Sequence, residues 1–342
     1  MSAYVLCEQR NDTSMRISPK RVLGLAAVAL ALAWSLSGVD FGEVVLLWIE
    51  ADRALVAGVV GLTLCDVFVR SWAWKVIVNP MKTVPLLQVF RVYIIGLFSG
   101  LVLPFRMGDV AQGYLLGRKE SLSKVSTIST VAVRRLFEVV SLTILMGGLT
   151  LGFSLDFPFA GRGALLAIIL ALGSGVAWML VRYRRHVLRL LDRIISRLSR
   201  PAALRVQTFF SSVLQGAVAL RDIRTVGLAL LLSLVAWGVE IVMIKTAAAA
   251  LGISLDYLAA GVVLVTINIG LMVSPTPGNI GSYQFLCILA LSWYSVSKSR
   301  ALSFSILFQV LQGLPIVICG PVFLALEANR AGASPAPNQE SR

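Results

Sequence analysis

The chain has 342 residues, 57% of them hydrophobic and 14% charged, with Lys and Arg outnumbering Asp and Glu by 31 to 17 for a formal net charge of +14. An ordinary soluble domain is about 45–50% apolar and about 25% charged, so a soluble globule is excluded. A bilayer span takes about 20 apolar residues, so the length holds roughly six to ten of them and leaves no stretch for a separate soluble catalytic domain. The predicted fold class is an all-α polytopic integral membrane protein.

In chain order, Arg10, Arg16, Lys20 and Arg21 precede an apolar run from Val22 to Val39. With no small-residue cleavage site after it, this run reads as a retained first span rather than a signal peptide. Further firm spans are predicted near 54 to 74, 136 to 155, 163 to 181, 226 to 250 and 301 to 325. Residues 85 to 117 and 257 to 296 are each an apolar segment, a Pro/Gly break and a second apolar segment, predicted as helical hairpins, re-entrant or crossing. Residues 1 to 21 form a basic N-terminus, 22 to 326 the membrane domain, and 327 to 342 a disordered tail.

Cytoplasmic loops carry the Lys/Arg excess of a membrane protein. With the N-terminus inside, segments 1 to 21, 75 to 135, 182 to 224 and 330 to 342 hold 25 of the 31 cations, against four on the other side. The first outer loop is acidic, with Asp40, Glu43, Glu50 and Asp52, and only Lys298 and Arg300 sit awkwardly. Both termini are therefore expected inside. That topology makes the halves, about 54 to 155 and 226 to 325, run in opposite directions. Pro104 with Gly108 maps onto Pro277 with Gly281 at one offset of 173, which suggests an inverted repeat.

The segment Leu103-Pro104-Phe105-Arg106-Met107-Gly108-Asp109 sets a helix break, a cation and a carboxylate in apolar sequence. Unsatisfied backbone is not tolerated against lipid, so the break should line protein or a polar cavity. Arg106 and Asp109 either neutralise each other or serve a ligand. In Val133-Arg134-Arg135-Leu136-Phe137-Glu138 two Arg and a Glu enter a span together. They are either snorkelling cations with a local partner or a headgroup clamp, Arg being suited to bidentate phosphate contacts. Ser274-Pro275-Thr276-Pro277-Gly278-Asn279-Ile280-Gly281-Ser282-Tyr283-Gln284 cannot be a regular helix. It is a structural turn, or, if a helix begins near Ile280, a helix N-terminus able to receive a phosphate.

Asp66 and Arg70, four apart in one span, are expected to pair with each other. Glu240 sits mid-span with no partner four residues away, Lys245 being five on, and is a candidate proton or cation site. Cys7, Cys65, Cys287 and Cys319 are scattered singly and His186 lies in an Arg run, so no metal or cofactor is indicated. Residues 182 to 205 hold eight Arg; Arg182, Arg185, Arg189, Arg193, Arg197 and Arg200 recur every three or four, as in an interfacial helix facing anionic lipid. Nucleic acid is not the expected partner, since no aromatic platform accompanies the charge.

The stretch from Gly96 to Glu138, with LPFRMGDVAQGYLLGRKESLSKVSTISTVAVRRLFEVV, followed downstream by SPTPGNIGSYQ, resembles the flippase-like family whose reference member is the membrane region of lysylphosphatidylglycerol synthetases. The resemblance spans about residues 20 to 326 and includes RSWAWKVI at Arg70 to Ile77. The chain has Gln112 where the family often has Arg, and Gln284 where it often has Glu. The resemblance implies a non-enzymatic protein of the bacterial cytoplasmic membrane that moves lipid between leaflets, with anionic phospholipid, polyprenyl-phosphate lipid or hopanoid as partner. A non-catalytic subunit of a lipid aminoacyl- or glycosyltransferase system, or a lipid-binding scaffold, is the alternative. Mechanistically, the two hairpins are expected to meet near the midplane. Arg106, Arg134 and Arg135 would receive the headgroup while Asp109 and Glu138 hold those cations apart.

Overall fold

The structure is a computed structural model that describes residues 39–102, 107–152, 212, 215–216, 218–273 and 279–332. The predicted spans at 22 to 39 (but for Val39) and 163 to 181, the Arg-rich segment 182 to 205 and the tail from 333 onward lie outside the described residues, as do Pro104, Arg106, Pro277 and Gly278.

Every regular element among the described residues is helical: α1 (Phe41–Ile49), α2 (Arg53–Val78), α3 (Leu86–Val102), α4 (Met107–Lys119), α5 (Lys124–Gly152), a 3-10 turn (Val218–Arg221), α6 (Ile223–Ala250), α7 (Tyr257–Val273), α8 (Ser282–Ser292) and α9 (Lys298–Gly332). By length and composition α2, α6 and residues Lys298–Glu327 of α9 can cross a membrane. Large apolar side chains stand exposed at helical spacing along them: Leu64, Phe68 and Trp72 on α2, Leu228, Leu231 and Val235 on α6, and Val310, Leu314, Val317 and Ile318 on α9. Meanwhile Gln112, Arg134, Glu138, Ser141 and Gln284 are buried. An apolar exterior around a polar interior is the arrangement a hydrocarbon solvent selects.

Two predicted features change. The acidic first loop is a helix, because Asp40 caps α1, accepting from Gly42 N at 2.8 Å, and Asp52 caps α2, accepting from Ala54 N at 2.8 Å. Carboxylates at helix starts take up amides that have no partner within the helix, which is why that segment is acidic. The helix predicted over 136 to 155 begins instead at Lys124, where the Ser123 backbone oxygen accepts from Thr127 N at 3.0 Å. Its first three turns carry Ser126, Thr127 and Thr130, whose hydroxyls are buried, so a hydropathy scan reads them as loop.

The two central helices, α2 and α6, pack against each other and run antiparallel: Asp52 N at the head of α2 donates to Ala250 O at the tail of α6, at 3.1 Å. At that same end, Asp40 N donates to Ser299 Oγ at 3.1 Å, and Arg300 lies 3.6 Å from Glu43. Arg300, the cation that fitted its side poorly, is thus matched by the acidic segment. At the opposite end Lys82 reaches Glu120 at 2.8 Å, and Lys119 bridges to Glu327 at 2.5 Å.

Within each predicted hairpin the structure describes two helices in contact, α3 with α4 and α7 with α8. Helices α2 to α5 begin at 53, 86, 107 and 124; moved by 173 these become 226, 259, 280 and 297, while α6 to α9 begin at 223, 257, 282 and 298. The packing follows the same order. α3 lies on α9, and α7 lies on α5, so each hairpin rests on the last helix of the other half.

In the first hairpin the close approach is made by glycine. A Cβ on Gly108 would lie 2.4 Å from Gly96 O and 2.8 Å from the Gly100 backbone, and one on Gly113 would lie 2.5 Å from the Ile128 Cα. α4 therefore nests between α3 and α5 at backbone contact, as small residues allow where helices associate in lipid.

Candidate functional site

Between α2, α4, α5 and α6 the interior holds a connected group of charges. It is built on α5, where Arg134 and Glu138 are four apart and Arg135 and Glu138 three apart, so both arginines can reach the one carboxylate. Arg134 is 1% exposed. Its Nη1 donates to Glu138 Oε1 and to the Tyr93 hydroxyl, each at 2.9 Å, and its Nη2 donates to Gln112 Oε1 at 3.1 Å and reaches Asp109 at 3.4 Å. The guanidinium also lies over the Tyr93 ring, 4.8 Å from its centroid. Arg134 Nε, by contrast, is buried without a hydrogen-bond partner among the described residues.

Arg135 differs from its neighbour in access. Its side chain is 49% exposed, yet Nε and Nη2 both grip Asp109 (3.0 and 2.9 Å) and Nη1 reaches Glu138 Oε2 at 2.8 Å. Asp109 and Glu138 each touch both arginines, as expected of carboxylates that hold two like charges side by side. The terminal nitrogens of Arg134, expected to receive a headgroup, are occupied by protein partners, Tyr93, Asp109, Gln112 and Glu138. Arg135 is the cation of the pair within reach of a ligand.

The network continues across the bundle axis. Arg70 Nε contacts both Asp66 oxygens (3.0 and 2.8 Å), its Nη2 donates to Glu240 Oε2 at 2.8 Å, and its Nη1 is 3.9 Å from Glu138. The guanidinium lies 4.5 Å from the Trp237 ring centroid. Trp237 Nε1 in turn donates to Ser141 Oγ at 2.8 Å and to Glu138 O at 3.2 Å. The predicted Asp66 and Arg70 pair is present. Glu240, with no partner four residues along its own helix, finds one in Arg70 of α2, a relation that spacing along α6 alone could not reveal.

The second hairpin contributes differently. Asn279 and Gly281 both have positive φ (58° and 85°), so the chain turns through left-handed backbone into α8. The start of α8 at Ser282 is close to the expected Ile280. Gln284 is committed to that turn: its Oε1 accepts from Gly281 N at 2.7 Å, and its Nε2 donates to Gln309 Oε1 on α9 at 2.8 Å. Among the described residues, Gln284 is joined to Gln309 rather than to the arginine group. Gly281 is required by its φ, and alanine there would be strained.

The sequence reading missed Tyr93, Trp237, Asn268 and Gln309 as members of the interior polar groups. Tyr93 and Trp237 look like ordinary apolar span residues until their polar tips are placed.

Residues 21–320 match the family described as the lysylphosphatidylglycerol synthase TM region. The chain belongs to this family. Among curated proteins it is similar to glycosyltransferase AglD of Haloferax volcanii, with 24% identity over 352 aligned positions covering 87% of this chain. The chain spans about half, 53%, of the length of that relative. No solved structure matches the chain. A family of membrane regions agrees with the helical architecture and with interior charge, and it ties the chain to the handling of membrane lipid.

Proposed function

We propose that the chain moves an amphipathic lipid with a phosphate in its headgroup between membrane leaflets, without chemistry of its own. The observation that supports this best is Arg135: a half-exposed guanidinium at the edge of the buried charge group, held by Asp109 and Glu138. A phosphate can displace Asp109 from its two contacts with Arg135, since both are planar-fork acceptors for arginine. The tails stay in lipid along the apolar outer faces, and Asp109 regains Arg135 when the headgroup leaves.

The matched order of α2 to α5 and α6 to α9 fits two inverted repeats, with α2 and α6 as their antiparallel centre. Inverted repeats with interrupted helices are a common plan for alternating access. In this reading the chain has six firm spans and two hairpins, both termini face the cytoplasm, and the acidic end bearing Asp40 and Asp52 faces out. Cysteines placed at Asp40 and Asp156 should then react with an impermeant reagent from outside intact cells, and one at Arg193 should not. Labelling at Arg193 alone would invert the topology.

Vesicles containing the protein should exchange a labelled anionic phospholipid between leaflets faster than empty vesicles. Arg135→Ala should slow this at least tenfold while the protein still folds, because its side chain is half exposed. Equal rates with and without protein, across phospholipid, polyprenyl phosphate and hopanoid, would defeat the translocation reading. The similarity to glycosyltransferase AglD supports a second reading, a non-catalytic membrane subunit of a glycosyltransferase system. That reading predicts co-purification with a transferase and no exchange in its absence.

A further inference from the structure

We propose that Asp66, Arg70 and Glu240 form a binding site for one proton, carried on the Glu240 carboxyl, and that its gain and loss sets the net charge buried between α2 and α6. The site deepens the translocation reading, supplying a way to couple lipid movement to a proton, but the proton site itself stands on charge and geometry alone.

The interior charges divide into two sets. Arg134, Arg135, Asp109 and Glu138 contact one another closely, two cations to two carboxylates. Asp66 and Glu240 then share one guanidinium, that of Arg70. Glu138, 3.9 Å from Arg70, adds negative charge to this second set and no positive charge. The three side chains are 13–16% exposed, within helices long enough to span a bilayer. Among the described residues no other cation reaches the pair. Lys245, on the same helix as Glu240, turns to Leu255 O at 3.1 Å and to the Tyr257 ring.

The remaining groups facing the triad are neutral or already engaged. They are Tyr93 from α3, Arg134 and Glu138 from α5, Trp237 on α6, Asn268 from α7, whose amide reaches Glu240, and Tyr283 from α8. α9 carries Lys298, Arg300 and Glu327 towards its ends. One excess carboxylate in a low-dielectric interior is relieved by taking up a proton. Glu240 is the carboxyl with room for it: Asp66 has both oxygens on Arg70 Nε, whereas Glu240 gives Arg70 one oxygen.

A proton from water adds to Glu240 and leaves Arg70 balanced by Asp66. Its return to water leaves two carboxylates, one on α2 and one on α6, opposed across a single guanidinium. The ionised form keeps the Arg70 contact between α2 and α6 but leaves a net negative charge buried there, so losing the proton lowers the stability of the folded state.

Infrared spectroscopy of the full chain in vesicles tests this without any assay of lipid movement. At mildly acidic pH the protein should show the carbonyl stretch of a buried protonated carboxylic acid, and the band should fade as pH rises through neutral. Glu240→Asp should shift that band, and Asp66→Asn should abolish it, since removing one carboxylate lets Arg70 balance Glu240. The melting midpoint in detergent should fall as pH rises from mildly acidic through neutral in the wild type, and this fall should be missing in Glu240→Gln, whose amide mimics the protonated acid. Absence of the band at mildly acidic pH, its persistence unchanged in Glu240→Gln, or the same fall in Glu240→Gln as in the wild type would overturn the proposal. If lipid exchange fails but these results hold, the proton site stands and the translocation reading falls.

Discussion

Arg134→Met should lower the stability of the protein by about 3–5 kcal/mol, the cost typical of removing one member of a buried ion pair. The side chain is 1% exposed and supplies hydrogen bonds to Tyr93, Gln112 and Glu138. Methionine fills much of the volume but leaves Glu138 with a single close cation and Gln112 Oε1 without its donor. The fall should be visible as a lower melting midpoint in detergent, larger than that of Arg135→Met at the half-exposed neighbour. Adding Glu138→Gln to Arg134→Met should recover part of the loss, because the uncompensated charge goes with it. Equal midpoints for Arg134→Met and wild type would mean that the interior charges do not hold the fold together.

The second large effect is expected at Gly108. A Cβ there meets backbone on two sides, Gly96 O at 2.4 Å and Gly100 at 2.8 Å, and backbone cannot rotate aside as a flexible side chain can. Gly108→Ala should therefore cost about 1–3 kcal/mol or more, as overpacking does, by prising α4 from α3. Asp109, the next residue, would be carried off Arg135, so lipid exchange should fall further than stability alone explains. Gly227→Ala is the matched control. Nothing lies within 4 Å of its Cβ position, and alanine favours helix over glycine by about 1 kcal/mol, so this variant should be neutral or stabilised. Parallel melting and exchange measurements on the two variants separate a packing effect from a general intolerance of glycine changes.

What the sequence disclosed and what it withheld divide along physical lines. Apolar runs locate α2, α6 and α9 to within a few residues, because a span is a local property of composition. The Pro/Gly segments of the sequence fall between α3 and α4 and between α7 and α8, because a helix boundary is also a local property. Asp66 with Arg70, and Arg135 with Glu138, follow from helical spacing. The contacts that join these pairs into one group do not. Arg70 to Glu240 spans 170 residues, Arg134 to Tyr93 spans 41, and only packing brings them together. Arg134 and Arg135 illustrate the limit best. They are adjacent and chemically identical, but successive helical positions differ by about 100°, and that rotation buries one and leaves the other half exposed.

The glycine seam of the first hairpin also dictates where the molecule can be watched. On α4, Gly108, Gln112, Gly113, Leu116 and Gly117 face inward, while Met107, Val110 and Tyr114 are 45%, 41% and 41% exposed along one stripe. Spin labels or fluorophores attached at Met107 or Val110 sit on exposed positions within a turn of Asp109, whereas Tyr114 is to be left in place because Lys124 of α5 lies over its ring. Since α4 is locked to both neighbours at backbone distance, a reporter on it follows the hairpin as one rigid piece. Distances from Val110 to an outward position on α9 such as Val317 would thus read the movement of one half against the other directly.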